Sequence, residues 1–460
     1  MSSRSPEDLL GKAVKYGWLP LIGVASTVAL EAGERQSLSQ AVDGIQHHFH
    51  VSDFAVGFLP FAMAIVGVFG AFPIGILADR MRRTVLLAWA VVVWTVCMGL
   101  NGLATSYALL FTARLGVGAV EANGPAAVSL LSDYYPVKDR ARTMGLYQSG
   151  ALIGAIVGLT IGGVAVAAGG YRWAFWMWVP AGIAATLFLL RMPEPRRGDQ
   201  DAVFEEDMAL VTPGGTDVAD LAEMTGLLPE PTRVGALDYE RATSREVGRE
   251  LLRIPSMWFG VMSITISQLL LSSLQFWAVP YFKRVHHLGA AEAGGYTALL
   301  GIGSVAGVLG GGFLADRYLR RGIINARVYV VAFSSMAASV VLVPAFASTT
   351  LLVTVPLFFL GGVFLTLPLA PAEALVSDVV VAELRGRAGT VRSVVRALSN
   401  VGPVLVGGLS SVMGLRLALV SITPIYAVGG VIMLLAARSY PADIAFVVAE
   451  AKRRRTESSE

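Results

Sequence analysis

Two short stretches place acids beside arginines inside long apolar runs. The first, "EAGERQS", supplies Glu31, Glu34 and Arg35, and the second, "ARLGVGAVEA", supplies Arg114 and Glu121. Arg114 and Glu121 are seven residues apart, two helical turns, so they share one helix face. A buried carboxylate takes a proton when a neighbouring arginine leaves and loses it when the arginine returns. These residues therefore predict a proton-coupling site of Glu34, Arg35, Arg114 and Glu121, or else a permanent salt bridge between two helices.

A second group of polar residues lies in apolar runs nearer the C-terminus. Arg392 and Arg396 are four residues apart, on one face of a helix, and Glu373 lies at a similar depth to Arg392. Glu373 and Arg392 would form a structural ion pair, whereas Arg396 suits a phosphate or carboxylate of a substrate. The predicted substrate site comprises Glu373, Arg392 and Arg396 together with Glu31, Tyr147, Gln268, Gln275 and Phe276.

The composition is that of a membrane protein. The chain of 460 residues is 55% hydrophobic and 15% charged, with a mean hydropathy of +0.63, whereas a soluble protein carries about 25% charged residues. The net charge of +3 is small. A pI near 9.0 reflects arginines at the membrane surface better than nucleic-acid binding.

Other apparent motifs point away from cofactors and catalysis. "GIGSVAG" at 301–307 lies in an apolar run with no preceding strand, so it indicates close helix packing and not a dinucleotide loop. "HHFH" at 47–50 is assigned to an exposed outer loop and not to a metal site, and Cys97 is the single cysteine. No Walker-type loop is present. The sequence therefore predicts no enzyme, no metal and no cofactor, with a proton gradient as the energy source.

Twelve apolar runs approach the length of about 20 residues that spans a membrane. The predicted spans, numbered 1 to 12, are 16–40, 53–78, 84–103, 106–133, 139–166, 171–191, 254–282, 291–315, 325–347, 351–378, 387–411 and 416–437. On these bounds Glu121 lies at mid-membrane depth, and Glu34 lies nearer the outer end of span 1. The predicted parts are an N-terminal six-helix bundle at 1–191, an acidic cytoplasmic linker at 192–250, a C-terminal six-helix bundle at 251–440 and a cytoplasmic tail at 441–460.

Two charged loops of the first half recur in the second half. "GILADRMRR" begins at Gly75 after span 2, and "GFLADRYLR" begins at Gly312 after span 8. "SDYYPVKDRARTM" begins at Ser132 and "SDVVVAELRGRAG" at Ser377, each with an aspartate seven residues before an arginine. These matches indicate duplicated halves, with a substrate site at their interface. Because lysine and arginine favour cytoplasmic loops, these loops, both termini and the linker are predicted to be cytoplasmic.

The repeated loop G-x-L-A-D-R-x-x-R resembles the signature of the major facilitator superfamily, and "ARLGVGAVEA" is similar to that superfamily's R-x-x-x-G element. The resemblance implies an all-α membrane protein of twelve transmembrane helices in two pseudo-symmetric six-helix bundles that rock around a central site. Asp79 and Asp316 would then pair with loop arginines in one rocking state only; alternatively, the arginines only set topology. The predicted gating residues are Asp79, Arg80, Arg83, Asp133, Arg140, Asp316, Arg317, Asp378 and Arg385.

The polar residues also resemble one subfamily. The pair Glu34-Arg35, with "SLSQAVDGIQHHFHVSD" downstream, is similar to the D-R pair and "I-x-x-x-F-x-x-S-D" of spinster-type transporters. Arg114 and Glu121 match that subfamily's fourth helix. Spinster-like proteins move lysophospholipids and sphingoid lipids, and bacterial members are regarded as proton-linked. The resemblance implies secondary, proton-coupled transport of an amphiphilic lipid by rocker-switch alternating access.

Two other transport functions and one different class of protein remain open. The transport alternatives are a proton-linked organic anion carrier, for example for a sugar acid, and a multidrug exporter of the same superfamily. The other class is a membrane receptor or scaffold, which would need neither Glu121 with Arg114 nor both charged loops. We expect a monomer in the inner (plasma) membrane, whose partners are its amphiphilic substrate and membrane lipids, with no nucleic acid.

Overall fold

The computed structural model describes residues 17–135, 140–195, 229–231, 244–381, 384, 388, 395 and 397–457. These residues form α-helices joined by short turns, and they divide into two compact units. The first unit contains the described residues up to 195 together with 276–295, and the second contains the remainder. The predicted boundaries at 191, 250 and 440 stay predictions.

The first unit is built from eight helices before residue 195. They are α1 (Leu19–Phe49), α2 (Asp53–Arg80), α3 (Arg83–Leu103), α4 (Tyr107–Val120), α5 (Gly124–Tyr134), α6 (Arg140–Gly169), α7 (Trp173–Trp176) and α8 (Trp178–Arg191). Two of them start at serine caps: Ser52 Oγ accepts from the N–H of Ala55, and Ser106 Oγ from that of Leu109.

The second half of the chain contains ten described helices. They are α9 (Ser244–Leu252), α10 (Pro255–Val285), α11 (Ala290–Leu319), α12 (Ala326–Ala347), α13 (Leu351–Thr366), α14 (Leu369–Asp378), α15 (Gly402–Met413), α16 (Leu415–Ile422), α17 (Ile425–Ala436) and α18 (Tyr440–Glu457). The end of α10 from Phe276 and the start of α11 up to Gly295 belong to the first unit.

Among the described residues, nine helices are long and apolar enough to cross a membrane. They correspond to nine of the predicted spans. The other three are α1, which carries buried acids, the pair α4 and α5, and the described part of span 11, Leu398–Met413, which is a shorter apolar helix. The structure thus confirms an all-α membrane protein.

The predicted end of span 1 at residue 40 is wrong, because α1 continues to Phe49. The last residues of the predicted span are buried within the helix and bonded to neighbours: Gln40 Nε2 donates to Leu159 O at 2.9 Å, and Ser39 Oγ to Phe276 O at 2.7 Å. As a result, Glu34 lies at the middle of α1 and not towards its outer end.

Spans 4, 10 and 12 were each predicted as one continuous helix, and each is interrupted beside a proline. The interruptions are the 3₁₀ turn Glu121–Asn123 before Pro125, the turn at Pro368 and the turn at Pro424. Proline lacks the backbone N–H of the helical ladder, which explains the breaks.

Glycines on α6 allow α1 to approach very closely. A Cβ atom on Gly154 would lie 1.9 Å from Ala29 O, and one on Gly158 would lie 2.0 Å from Gly33 O. Only glycine permits backbones to pack at this distance, as in other small-residue membrane interfaces. The tight contact holds the segment of α1 that carries Glu31, Glu34 and Arg35 in a fixed position.

Two helices of the second unit lie in segments that the sequence indicated as linker and tail. Val247 and Leu251 of α9 share a buried apolar cluster with Ile444 and Phe446 of α18. The N–H of Ser256 also donates to Asp443 at 3.2 Å, which joins the start of α10 to α18.

Candidate functional site

The break between α4 and α5 places Glu121 beside α1. Pro125 cannot donate a hydrogen bond to the carbonyl of Glu121, four residues earlier, so the helix ends at Val120 and resumes at Gly124. Glu121 therefore lies on a turn and not on a continuous helix face with Arg114.

Arg114 forms its ion pair with Glu34 of α1. Arg114 Nη1 donates to Glu34 Oε1, and the two side chains are 1% and 0% exposed. The guanidinium also lies 5.6 Å from the ring centre of Phe175. No other described group accepts from Nε or Nη2 of Arg114 or donates to Glu34 Oε2. Separating this pair would leave an uncompensated buried charge, so it is the rigid pair of the site.

Arg35 forms the second ion pair, with Glu121. Arg35 Nη2 lies 2.9 Å from Glu121 Oε2, and the side chains are 56% and 14% exposed. The arginine is open on one side, whereas the carboxylate is largely enclosed. Both ion pairs join α1 to the segment around the α4–α5 break.

Glu31 lies one helical turn before Glu34 and contacts the same break. Asn123 Nδ2 lies 3.3 Å from Glu31 Oε1 and 3.1 Å from the carbonyl of Val120. Tyr147, predicted for the substrate site, is buried in α6, the helix packed against α1. The first unit thus gathers three acids and two arginines around one helix interruption.

Arg83 at the start of α3 is the centre of a separate network. Arg83 Nη1 donates to Asp133 at 2.5 Å and to Ser129 at 2.9 Å, and Nε donates to Glu194 at 3.1 Å. The N–H and hydroxyl of Thr84 donate to the other Glu194 oxygen at 2.9 and 2.8 Å. Burial would raise the pKa of the Glu194 carboxyl, but these hydrogen bonds hold it below its usual value.

An equivalent network in the second unit uses an arginine outside the repeated loop. Arg327 at the start of α12 pairs with Asp378 at the end of α14, and the Tyr440 hydroxyl donates to the same Asp378 oxygen at 2.7 Å. Burial of the Tyr440 hydroxyl raises its pKa, and the negative charge of Asp378 raises it further. Arg320, which matches Arg83 in the repeat, does not occupy this position.

Three other predicted gating residues are described, and they are not joined to one another. Arg80, Asp316 and Arg317 are exposed, and none of them makes a side-chain hydrogen bond or ion pair with another described residue. The side chains of Asp79 and Arg140, and the whole of Arg385, lie outside the described residues. Pairing of Asp79 and Asp316 with loop arginines stays a prediction.

The predicted substrate residues of the second half are only partly described. Arg392 and Arg396 lie outside the described residues, so the pairing of Arg392 with Glu373 stays a prediction. Glu373 in α14 and Gln268 in α10 are half-buried, and Gln275 is exposed. Phe276 is buried.

One charged cluster, centred on Arg284, was not predicted by the sequence analysis. Arg284 at the end of α10 donates to Asp43 of α1 at 2.8 Å, to Asp53 of α2 at 2.9 Å and to Gln46 at 2.5 Å. Lys283 adds an ion pair to Asp43 at 2.6 Å. The acids belong to helix ends that apolar periodicity does not mark as special, so no signal in the sequence singled them out.

Charged pairs enclosed between membrane-spanning helices, together with repeated charged loops, define a transporter-like membrane protein. The chain belongs to the Major Facilitator Superfamily, whose family model matches residues 24–399. This is a family of transporters and not of enzymes, so the chain is a multi-pass membrane transporter, and the predicted fold class is confirmed.

Individual relatives are distant, and they include acid-sugar transporters and spinster homologs. The chain is 23% identical over 421 residues to a probable galactarate/D-glucarate transporter of Bacillus subtilis, covering 88% of each chain. It is 25% identical over 356 residues to probable sphingolipid transporter spinster homolog 1 of Arabidopsis thaliana, covering 74% of this chain and 68% of the relative. The resemblance to the spinster subfamily is therefore confirmed.

Solved structures carry the same fold. A bacterial homolog of the human lysosomal transporter spinster, in an inward-facing and occupied conformation, superposes with a TM-score of 0.76. The match covers 94% of this chain and 99% of that chain at 21% identity.

Proposed function

We propose that the protein is a proton-coupled transporter of an amphiphilic lipid of lysophospholipid or sphingoid type, working by alternating access in the inner (plasma) membrane with both termini cytoplasmic. The observation that carries the proposal is the contrast between two neighbouring ion pairs. Arg114 and Glu34 are enclosed, whereas Arg35 is mostly exposed beside the enclosed carboxylate of Glu121. Proton coupling requires a carboxylate whose charge is compensated by a cation in one state and uncompensated in another.

The coupling cycle follows from this contrast. While Arg35 contacts Glu121, the carboxylate is ionised, because the guanidinium compensates its charge. When Arg35 turns away, Glu121 is left charged between apolar helices, and it binds a proton. Return of Arg35 releases the proton. Glu34 and Arg114 stay paired throughout and hold α1 against the α4–α5 break, so Glu34 does not exchange the proton.

Two further parts of the proposal concern the substrate and the gate. Arg396, with Arg392 and Glu373, would hold an anionic head group. Asp79 and Asp316, with the arginines that follow them, would form contacts that exist in one transport state and break in the other. Both rest on residue type, spacing and depth in the sequence.

A lipid substrate is favoured by the spinster relatives. The second candidate is a proton-linked sugar acid carrier. It is supported by similarity to the galactarate/D-glucarate transporter and to the D-galactonate transporter of Escherichia coli, which is 23% identical over 93% of this chain.

The experiment is uptake into proteoliposomes with and without an imposed pH gradient, using a fluorescent lysophospholipid, a sphingoid base and a radiolabelled sugar acid. We expect the gradient to accelerate lysolipid or sphingoid transport in the wild type and to have no effect on Glu121→Gln. The matched control is Glu230→Gln, which changes an exposed carboxylate outside the spans. Acceleration of the sugar acid alone would establish the second candidate, and unchanged acceleration in Glu121→Gln would remove Glu121 from coupling.

A further inference from the structure

A small cavity lies between α1, α3 and the α4–α5 break. Its walls are partly apolar, and five residues with polar groups line it: Thr27, Glu31, Trp94, Glu121 and Asn123. Measured for the centre of a water-sized sphere, its volume is about 10 Å³, and by this measure one water needs roughly 10–15 Å³. The cavity has room for one water and for no larger ligand.

Two polar atoms of the lining residues are buried without a partner. Trp94 is 4% exposed, and among the described residues no acceptor lies within hydrogen-bond distance of its Nε1. Glu121 Oε1 likewise has no donor in the described part of the chain, although Oε2 of the same carboxylate contacts Arg35. A buried indole N–H is rarely left without an acceptor, so these two atoms, both on residues that line the cavity, indicate a ligand in it.

The chemistry of the lining determines what that ligand is. An indole N–H only donates, and carboxylates mainly accept, so the ligand must both accept and donate. A sodium ion would face the positive end of the Trp94 N–H, and an anion would face the carboxylates of Glu31 and Glu121. Water meets all of these groups with the correct polarity. Thr27, whose hydroxyl donates to Val24 O at 2.8 Å, can still accept from it.

We propose that this cavity binds one water molecule, which accepts from Trp94 Nε1 and bridges the carboxyl groups of Glu121 and Glu31. The inference rests on the proposed proton coupling and deepens it, because the water extends the proton site from one carboxyl group to two. A proton bound at Glu121 passes to the water while the water passes one of its own protons to Glu31. One O–H bond breaks at Glu121 and one forms at Glu31, and the water is regenerated.

Asn123 positions Glu31, the residue that receives the proton in this relay. Its Nδ2 is within reach of Glu31 Oε1 and of Val120 O, so the 3₁₀ turn that carries Glu121 also orients Glu31. Among the described side chains, the elements around the cavity also carry these charged or titratable groups: Glu34, Arg35, Asp43, His47 and His48 on α1, Arg83 and Cys97 on α3, Tyr107 and Arg114 on α4, and Tyr147 on α6. None of these lines the cavity.

The test compares Trp94→Phe with Trp89→Phe in proteoliposomes. Phenylalanine keeps most of the ring but removes the N–H, and Trp89, on the same helix, is 60% exposed and serves as the matched control. We expect the ratio of gradient-driven uptake to counterflow exchange to fall about tenfold in Trp94→Phe, as for one lost hydrogen bond, and to stay at the wild-type value in Trp89→Phe. A wild-type ratio in Trp94→Phe overturns the relay.

A second measurement does not depend on transport. A high-resolution cryo-EM map of the wild type should show water density at about 2.7–3.2 Å from Trp94 Nε1 and Glu121 Oε1, and the map of Trp94→Phe should lack it. Absence of that density from the wild-type map overturns the water site. A wild type that ignores the pH gradient but shows the density would instead refute the proposed coupling and leave the water site established.

Discussion

Arg35 Nη2 lies 2.9 Å from Glu121 Oε2, while Arg114, seven residues before Glu121, is bonded to Glu34 on α1. The two arginines thus serve different acids and sit in different surroundings. The Arg114 pair is enclosed, and its separation would be costly, since each ion would be left in a low-dielectric interior. The Arg35 pair is exposed on the arginine side, and it is the pair that we propose to form and break during a transport cycle.

The first prediction concerns this open pair. In Arg35→Gln, Glu121 loses its compensating charge and should stay protonated, so transport should no longer respond to an imposed pH gradient. Because Glu121→Gln fixes the same neutral state, the double variant should be no worse than either single variant. Uptake into proteoliposomes at two gradient values would measure this. Additive losses in the double variant would show that Arg35 and Glu121 act independently.

The second prediction concerns the enclosed pair. Glu34→Gln leaves the Arg114 guanidinium buried without a counter-charge, which should lower the free energy of unfolding by about 3 kcal/mol. The same substitution at Glu121 should lower it by at most about 1 kcal/mol, because Arg35 can return to water. Thermal unfolding of both variants in detergent provides the comparison. Equal losses would contradict the division into a rigid and a movable pair.

Much of the fold could be predicted because each span needs about 20 apolar residues, and apolar runs are visible directly in a sequence. The prediction failed where polar residues are partly buried. The polar residues Asp43 and Gln46 resemble a loop until their bonds to Arg284 are known, so the end of α1 was placed too early. The helices α9 and α18 were missed because their apolar faces become apparent only when they pack on each other.

The residues of the candidate site could be predicted from the sequence, but which acid pairs with which arginine could not. Acids and arginines inside apolar runs attract attention because they are costly there, which identified Glu34, Arg35, Arg114 and Glu121. Which acid meets which arginine depends on contacts between helices, and spacing within one helix cannot supply that information. Trp94 was missed because a tryptophan in an apolar helix usually indicates packing, and it is distinguished only by the lack of an acceptor for its Nε1 among the described residues.

The third prediction uses the lowered pKa of Glu194. A carboxyl whose pKa is lower in the folded state contributes stability above its unfolded value, and that contribution is lost as the pH falls through the folded pKa. Glu194→Gln should therefore reduce the melting temperature at pH 7, and the difference from the wild type should shrink below a pH of about 4. Glu230→Gln, at an exposed position, should match the wild type at every pH. A difference that persists unchanged into acid would show that the carboxylate charge is not the cause.

The last prediction concerns Arg284, which joins the end of α10 to α1 and α2. Arg284 donates to both oxygens of Asp53, at 2.9 and 3.1 Å, and also to Asp43 and Gln46. Several charge-assisted bonds from one guanidinium hold these helix ends together more strongly than a single surface pair. Arg284→Gln should therefore lower the free energy of unfolding by about 2–3 kcal/mol.

Lys283→Gln is the matched control, because the neighbouring residue makes an ion pair to the same Asp43 at 2.6 Å. Its loss should be at most about 1 kcal/mol and should shrink in high salt, because Lys283 makes a single ion pair whereas Arg284 bonds three partners. Arg284→Gln should remain destabilised in high salt, because its partners are partly buried and its neutral acceptor Gln46 is not screened. Thermal unfolding in detergent at low and high salt measures both variants. If salt removed both losses equally, the Arg284 cluster would be no more than a screened surface contact.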